Sequence, residues 1–215
     1  MEGLEYDDAL LEELRKVYGT ALNEFLESLK RPNPRLYLRI TDLGRKEEVL
    51  RKYEFFREDK DFGEAIYTEV KGPYKVEIHE WKVVVDKRTA ESVMMGANVY
   101  WPGVKKAEAM KGDLVNVVSD NGVIVGEGVF VDRGTLAVEV TKSLFSAPKV
   151  SEIPEVKKGL LYSQGKASMY VARLLDPLPG ERIVDMTAAP GGKLTHIAQL
   201  QPQARGIGFD RTAQQ

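Results

Sequence analysis

Apolar residues recur at helical spacing near the start of the chain: Leu10, Leu11, Leu14, Val17 and Tyr18 lie within the stretch from Tyr6 to Tyr18. Gly19 suits the end of that helix, and Thr20 is placed to cap a second one carrying Leu22, Phe25, Leu26 and Leu29. Arg31, Pro32, Asn33 and Pro34 end it. The pattern then changes period. LYLRI (36–40) alternates as a strand, KEEVLRKYEFF (46–56) reads as a helix and AIYTEV (65–70) as another strand, together a small βαβ module.

From about Lys75 to Val150 the pattern is that of a compact β domain with one helix. VVVD (83–86) leads into KRTAESVMMG, whose Ala90, Val93 and Met94 keep helical spacing and stop at Gly96. NVYWPGV, DLVNVVS, GVIVGEGVF and LAVEV follow as short strands separated by Gly, Asn and Asp turns, the signature of a small barrel. Met94 and Met95 read as core filling.

The last segment carries the candidate chemistry. ERIVDM (181–186) is a short strand, KLTHIAQL (193–200) a helix with Leu194, Ile197 and Leu200 on one face, and GIGFD (206–210) a second strand. Between strand and helix lies TAAPGG, where Gly191 and Gly192 let the backbone approach a ligand and the first helical N–H groups are free to donate. Asp210 stands at the strand end where a nucleoside-binding βαβ unit places its acceptor for ribose hydroxyls. The spacing is not G-x-G-x-x-G, which favours an adenosyl cofactor over a nicotinamide one. Asp185 reads equally as an acid facing a ligand amino group and as a cap on the loop's own amides.

At 215 residues, with 43% hydrophobic and 30% charged residues, the chain is an ordinary globular protein of one large or two small domains. No run approaches the ~20 apolar residues of a bilayer span, and the start is acidic where a signal peptide is basic, so the expected location is cytoplasmic, with no membrane partner. There is no cysteine, which excludes disulfides, thiolate metal sites and thiol nucleophiles within this sequence. His79 and His196 read as surface residues of a strand or helix, and no metal is assigned. The net charge is −2, but the first thirty residues hold Glu2, Glu5, Asp7, Asp8, Glu12, Glu13, Glu24 and Glu27 against Arg15, Lys16 and Lys30. The remainder is mildly basic without a long Lys/Arg run, so RNA binding is not legible from charge.

The string D-x-x-A-A-P-G-G-K-x-T from Asp185 resembles the first S-adenosylmethionine motif of the Nop2/Sun family of RNA cytosine-5 methyltransferases, and GLLYSQGKASMYVARLLDPLPGERIVDM (159–186) resembles that family's lead-in. YGTALNEFLESLKRPNPRLYLRI is similar to its amino-terminal module, although Thr41-Asp42 stands where the family usually has Asn-Thr. RTAESVMMGANVYWPGV with KKAEAMKGDLVNVVSDNGVIVGEGVF closely resembles a PUA domain, an RNA-binding pseudobarrel. The combination resembles the branch that grips transfer RNA near its acceptor end.

The resemblance implies an α+β, multi-domain chain: N-terminal helices plus a small βαβ module (1–74), a PUA-like β pseudobarrel (75–150), and the first βαβ unit of a Rossmann-like methyltransferase domain (151–215). It implies that Ala188, Pro190, Gly191, Gly192, Lys193 and Asp210 bind S-adenosylmethionine, and that Gly96, Ala97, Asn98, Lys105 and Lys106 line the RNA path, the lysines on phosphates. Tyr100 and Trp101 are candidates for stacking on a base or for barrel core. The family's reaction adds a cysteine thiolate to C6 of cytosine, with an aspartate at N3, before C5 takes the methyl group. With no cysteine and two strands counted after Ser151, the expectation is a shortened chain that binds the cofactor weakly and is inactive alone. Its 183–215 segment is then expected to be weakly ordered, oligomeric or aggregation-prone, or completed by a partner chain. The alternatives are a non-enzymatic RNA-binding protein and one half of a split methyltransferase.

Overall fold

The computed structural model describes residues 6–29 and 32–211, so Glu2, Glu5, Lys30, Arg31 and positions 212–215 lie outside the described residues. In chain order the elements are α1 (Asp8–Tyr18), α2 (Leu22–Leu29), β1 (Arg35–Ile40), α3 (Lys46–Lys52), β2 (Arg57–Glu58), β3 (Ala65–Glu69), β4 (Trp81–Val85) and α4 (Lys87–Met94). There follow β5 (Val99–Tyr100), β6 (Val104–Glu108), β7 (Leu114–Ser119), β8 (Ile124–Arg133), β9 (Leu136–Ser143), α5 (Pro154–Lys157), β10 (Leu161–Ser163), α6 (Lys166–Leu175), β11 (Arg182–Asp185), α7 (Gly192–Leu200) and β12 (Arg205–Gly208). Two compact units result, residues 1–34 and 35–215.

In the first unit Asp7 caps α1 by accepting the Ala9 amide at 2.9 Å. Gly19 takes φ +51° at its end. Thr20 is not the cap expected of it: it sits inside a 3₁₀ turn, Gly19–Ala21, that carries the chain directly into α2. The Tyr18 and Phe25 rings stack across this turn, 3.9 Å between centroids.

Among the described residues the second unit contains three sheets. The first has the order β10-β1-β3-β2, with β1 antiparallel to both neighbours. Its core gathers Leu38, Ile40, Val49, Phe56, Ile66 and Leu161. The helix α3 stops at Lys52, four residues short of the pattern, because Phe56 must turn inward to that core, where it is 3% exposed. Glu155 of α5 closes the end of the layer. Hydrogen bonds from Lys52 (2.6 Å) and Tyr53 (2.5 Å) hold its carboxyl at about 2, well below its ordinary value.

The second sheet is curled, order β5-β9-β8-β7-β4-β6, with β4 and β7 parallel and the other pairs antiparallel. Val83, Val85, Val115, Val117, Phe130 and Val138 fill its concave side, and Ala90 and Val93 of α4 close it. Valine dominates because β-branched side chains pack well on a pleated surface. The fully buried Asn116 staples the incoming segment to β7: its Oδ1 accepts the His79 amide and its Nδ2 donates to the Glu77 carbonyl, both at 2.7 Å. We expect Asn116→Ala to lower the stability of this domain by about 2 kcal/mol, since it orphans two backbone groups. A urea titration followed by Trp81 fluorescence would read it, and an unchanged midpoint would refute the staple.

The third sheet is the parallel pair β11–β12; α7 packs against β12, and α6 packs against α7. Its apolar Val184, Met186, Ile207 and Phe209 are all more than half exposed, as two strands alone cannot cover both faces. No helix among the described residues is long and apolar enough to cross a membrane.

Candidate cofactor cleft and nucleic-acid interface

The strand β11 ends at Asp185, and the chain turns through Thr187–Pro190 into α7. Gly191 adopts φ +95°, a conformation that side-chain-bearing residues rarely take, and this swings the helix start toward the strand ends. The first helical hydrogen bond is Thr195 N–H to Gly191 O at 2.9 Å, so the amides of Gly192, Lys193 and Leu194 have no helical acceptor. Asp185 Oδ1 accepts the Thr187 amide at 3.1 Å, and the same residue lines the cleft beside it. Asp210, just beyond β12, braces the loop from the other strand. Its Oδ2 accepts the Ala189 amide at 2.8 Å and its Oδ1 the Arg211 amide at 2.7 Å. Gly208 is needed there, because a Cβ would stand 2.7 Å from Ala188 Cβ.

The loop forms one wall of a cleft of about 180 Å³. Ala188, Pro190, Gly192 and Lys193 line it, while Gly191 shapes it and Asp210 stands behind the loop. The opposite wall is Tyr162, Ser163 and Gln164 of β10 and its exit, with Gly165 and Ser168. Tyr162 bridges the walls by donating its hydroxyl to the Pro190 carbonyl at 3.0 Å. This second wall was not assigned from sequence. The strand β10 pairs with β1 and not with the methyltransferase-like strands, through register pairs such as Leu38↔Ser163, and only the family-like lead-in hinted at it.

Two buried polar clusters fasten α6 and α7 onto the first sheet. Arg39 donates to Gln164 Oε1 and Thr195 Oγ1, both at 2.8 Å, and also to Gln199 Oε1. Gln199 in turn donates to the Ile40 carbonyl at 2.7 Å. Glu64 receives Arg173 Nε at 2.9 Å and lies 2.8 Å from His196 Nε2. His196 is therefore corrected from surface residue to core residue: it is fully buried, because its face of α7 is the one that packs on the sheet. At the other end of α6, Lys166 binds Asp59 at 2.8 Å and also Asp61.

In the curled sheet, Gly96 takes φ +94° at the end of α4 and its amide donates to Val93 O at 2.9 Å. Gly96, Ala97 and Asn98 line a second cleft of about 380 Å³ with Leu36, Tyr100 and residues 147–150. Asn98 also accepts the Val140 amide at 3.0 Å. Tyr100, 52% exposed, offers its ring to the cleft, whereas Trp101 packs edge-on against Phe130 and donates to Asp132 at 3.1 Å. Lys105 and Lys106 do not line this cleft. They lie on β6 and are engaged with Asp120 (2.8 Å) and Glu108 (2.5 Å).

Comparison with known proteins places these features in a family. Residues 172–215 match the model of the 16S rRNA methyltransferases RsmB/F, and residues 81–141 match the PUA domain. The chain is 37% identical to a tRNA (cytosine(72)-C(5))-methyltransferase of Pyrococcus horikoshii, over 92% of its own length and 57% of the relative's. It is 33% identical to the mouse tRNA (cytosine(72)-C(5))-methyltransferase NSUN6 over 65% of its length and 35% of that protein's. The crystal structure of NSun6 from P. horikoshii with SFG superposes with a TM-score of 0.85 at 33% identity, covering 97% of this chain and 59% of that one. The chain thus spans little more than half the length of the archaeal relatives it matches. With the cofactor-type loop and the PUA domain both matched in sequence and the architecture matched in space, the chain is similar, over the part of them that it spans, to the RNA cytosine-5 methyltransferases that carry a PUA domain.

Proposed function

We propose that this chain binds transfer RNA through its PUA domain and contributes the first cofactor-binding segment to cytosine-5 methylation. The observation that carries the reading is the cleft between the Asp185–Lys193 loop and Tyr162–Ser168, held against the first sheet by Arg39. Free amides at Gly192–Leu194 and the Lys193 ammonium suit the carboxylate of S-adenosylmethionine, and Asp210 suits its ribose hydroxyls. Bound there, that cofactor would supply an electrophilic methyl group. The Gly96–Asn98 loop and Tyr100 suit a splayed nucleotide, by backbone hydrogen bonding and stacking. We assign Lys105 and Lys106, outside the lining of that cleft, to phosphates of the same RNA, where each must exchange a carboxylate partner for phosphate. The domain division follows function: an amino-terminal module over 1–74, the PUA domain over 75–150 and the methyltransferase part over 151–215.

None of the 215 residues is a cysteine, so no group in this sequence can add to C6 as a thiolate. The chain by itself is expected to bind total transfer RNA in a filter assay yet transfer no label from methyl-labelled S-adenosylmethionine. Transfer appearing on addition of a second chain bearing the cysteines would support a split enzyme. Transfer by this chain alone would overturn the assignment.

A further inference from the structure

Beside the cleft at Gly96–Asn98 lies a separate one of about 300 Å³, lined by Phe55, Arg57, Thr68, Glu69, Lys71 and the 146–148 segment. The two clefts share Ala147 and Pro148 as a common wall. They also stand on paired residues of one sheet: Leu36 of β1 lines the first and its partner Thr68 of β3 lines the second. They are therefore neighbouring stations on one surface.

The second cleft has the groups that single-stranded RNA needs. Phe55 is 38% exposed, and its ring is fixed from behind by the buried Phe56, 4.7 Å between centroids. A held, exposed ring is a stacking platform for a base. Arg57 donates to the Phe56 carbonyl at 3.0 Å and to Glu54 O, both through Nη1, which fixes the guanidinium and leaves its other N–H groups without a protein acceptor among the described residues. Lys71 is positioned by backbone hydrogen bonds to Ser146, 2.9 Å in each direction. Among the described residues neither cation is in an ion pair, and against Glu69 they leave the lining with a net positive charge.

We infer that the Phe55–Arg57–Lys71 cleft is a second RNA station, holding a base and phosphates of the strand that continues from the PUA cleft over Pro148. This rests on the RNA-binding reading above. Its chemistry is not sequence-specific: a π-face and two cations accept any base and its backbone.

The test uses the full chain and two fluorescent oligouridines, one of about four nucleotides and one of about ten, matching one station and two. Phe55→Leu keeps an apolar side chain but loses the stacking face. Lys71→Gln removes a charge from an exposed residue whose hydrogen bonds are all through the backbone. Each is expected to weaken the longer oligomer about tenfold and leave the shorter one unchanged. Lys71→Gln should also lower the salt slope for the longer oligomer by about 0.7, the value for one phosphate on a single strand. Equal affinity of both variants and the parent for the longer oligomer, or an equal loss for both lengths, would overturn the second station while leaving RNA binding intact. Failure of the parent chain to bind either oligomer would overturn both readings. Melting temperatures of both variants separate lost folding from lost contact, and Lys71→Gln, which touches no packed side chain, decides the matter should Phe55→Leu be unstable.

Discussion

Glu64→Ala is expected to cost residues 35–211 about 3 kcal/mol or more, the scale set by removing one partner of a buried charged pair. Glu64 is 1% exposed, and its carbonyl is already engaged by the Ile40 amide at 2.8 Å, so the side chain cannot move out to water. Its loss leaves His196 with no hydrogen-bond partner among the described residues, because the buried Nδ1 of that ring has none among them either. Arg173 suffers less, being 41% exposed and able to turn to solvent. The same carboxylate makes the joint pH-sensitive. Burial pushes the Glu64 acid up, but the hydrogen bonds from His196 and Arg173 outweigh it and bring it from 4.5 to about 2. A carboxyl depressed in the folded state stabilises fully above its unfolded value, and that contribution is lost as pH falls from about 4.5 toward 2. The shift corresponds to ~3 kcal/mol. Glu64→Gln keeps one hydrogen bond and loses the titration, so its stability deficit should be largest at neutral pH and close as pH approaches 2. Urea midpoints measured across that range would show it, and a deficit independent of pH would mean that the carboxylate contributes no charge stabilisation.

Arg39→Ala should be nearly as damaging, at about 2 to 4 kcal/mol, since it orphans the buried Gln164 carbonyl oxygen, removes the ties to Thr195 and Gln199 and opens a cavity. The guanidinium is 1% exposed and has no carboxylate in ion-pair range among the described residues, which is why burial lowers its pKa. It is held instead by Gln164, Thr195 and Gln199, with the Tyr162 ring 5.3 Å away. Tyr162 and Gln164 line the cleft, and Thr195 and Gln199 belong to α7, the helix that follows its loop, so the damage should be local as well as global. Hydrogen exchange at the Ile197 and Gln199 amides of α7 should accelerate about a hundredfold, the equivalent of about 2.7 kcal/mol. Arg39→Lys keeps the charge but not the three-way fork and should recover part of that protection. Unchanged protection in Arg39→Ala would show that α7 is seated without the arginine.

Much of the local structure was legible because it is encoded locally. The turn at Gly96, the strands of the curled sheet and the strand-loop-helix around Gly191 each follow from glycine conformations and side-chain period within a dozen residues. The misread elements share a different cause. The helix α3 ends early because the long-range core claims Phe56, and Thr20 lies in a turn because Gly19 does not break the chain between the helices. Lys105 and Lys106 lie on β6, which pairs with β4, whereas β5 after the Gly96–Asn98 loop pairs with β9, and the lysines are not among the residues lining that loop's cleft.

By itself the sequence determined the family-bearing motif, the PUA pattern and the absence of any thiol, because each depends on residue identity over a short stretch. The tertiary structure alone decided that β10 joins β1, that Arg39 and Glu64 seat α7, and that His196 is core. These depend on residues 109 to 160 positions apart meeting across a sheet, and no local period encodes which distant polar group a buried side chain will find.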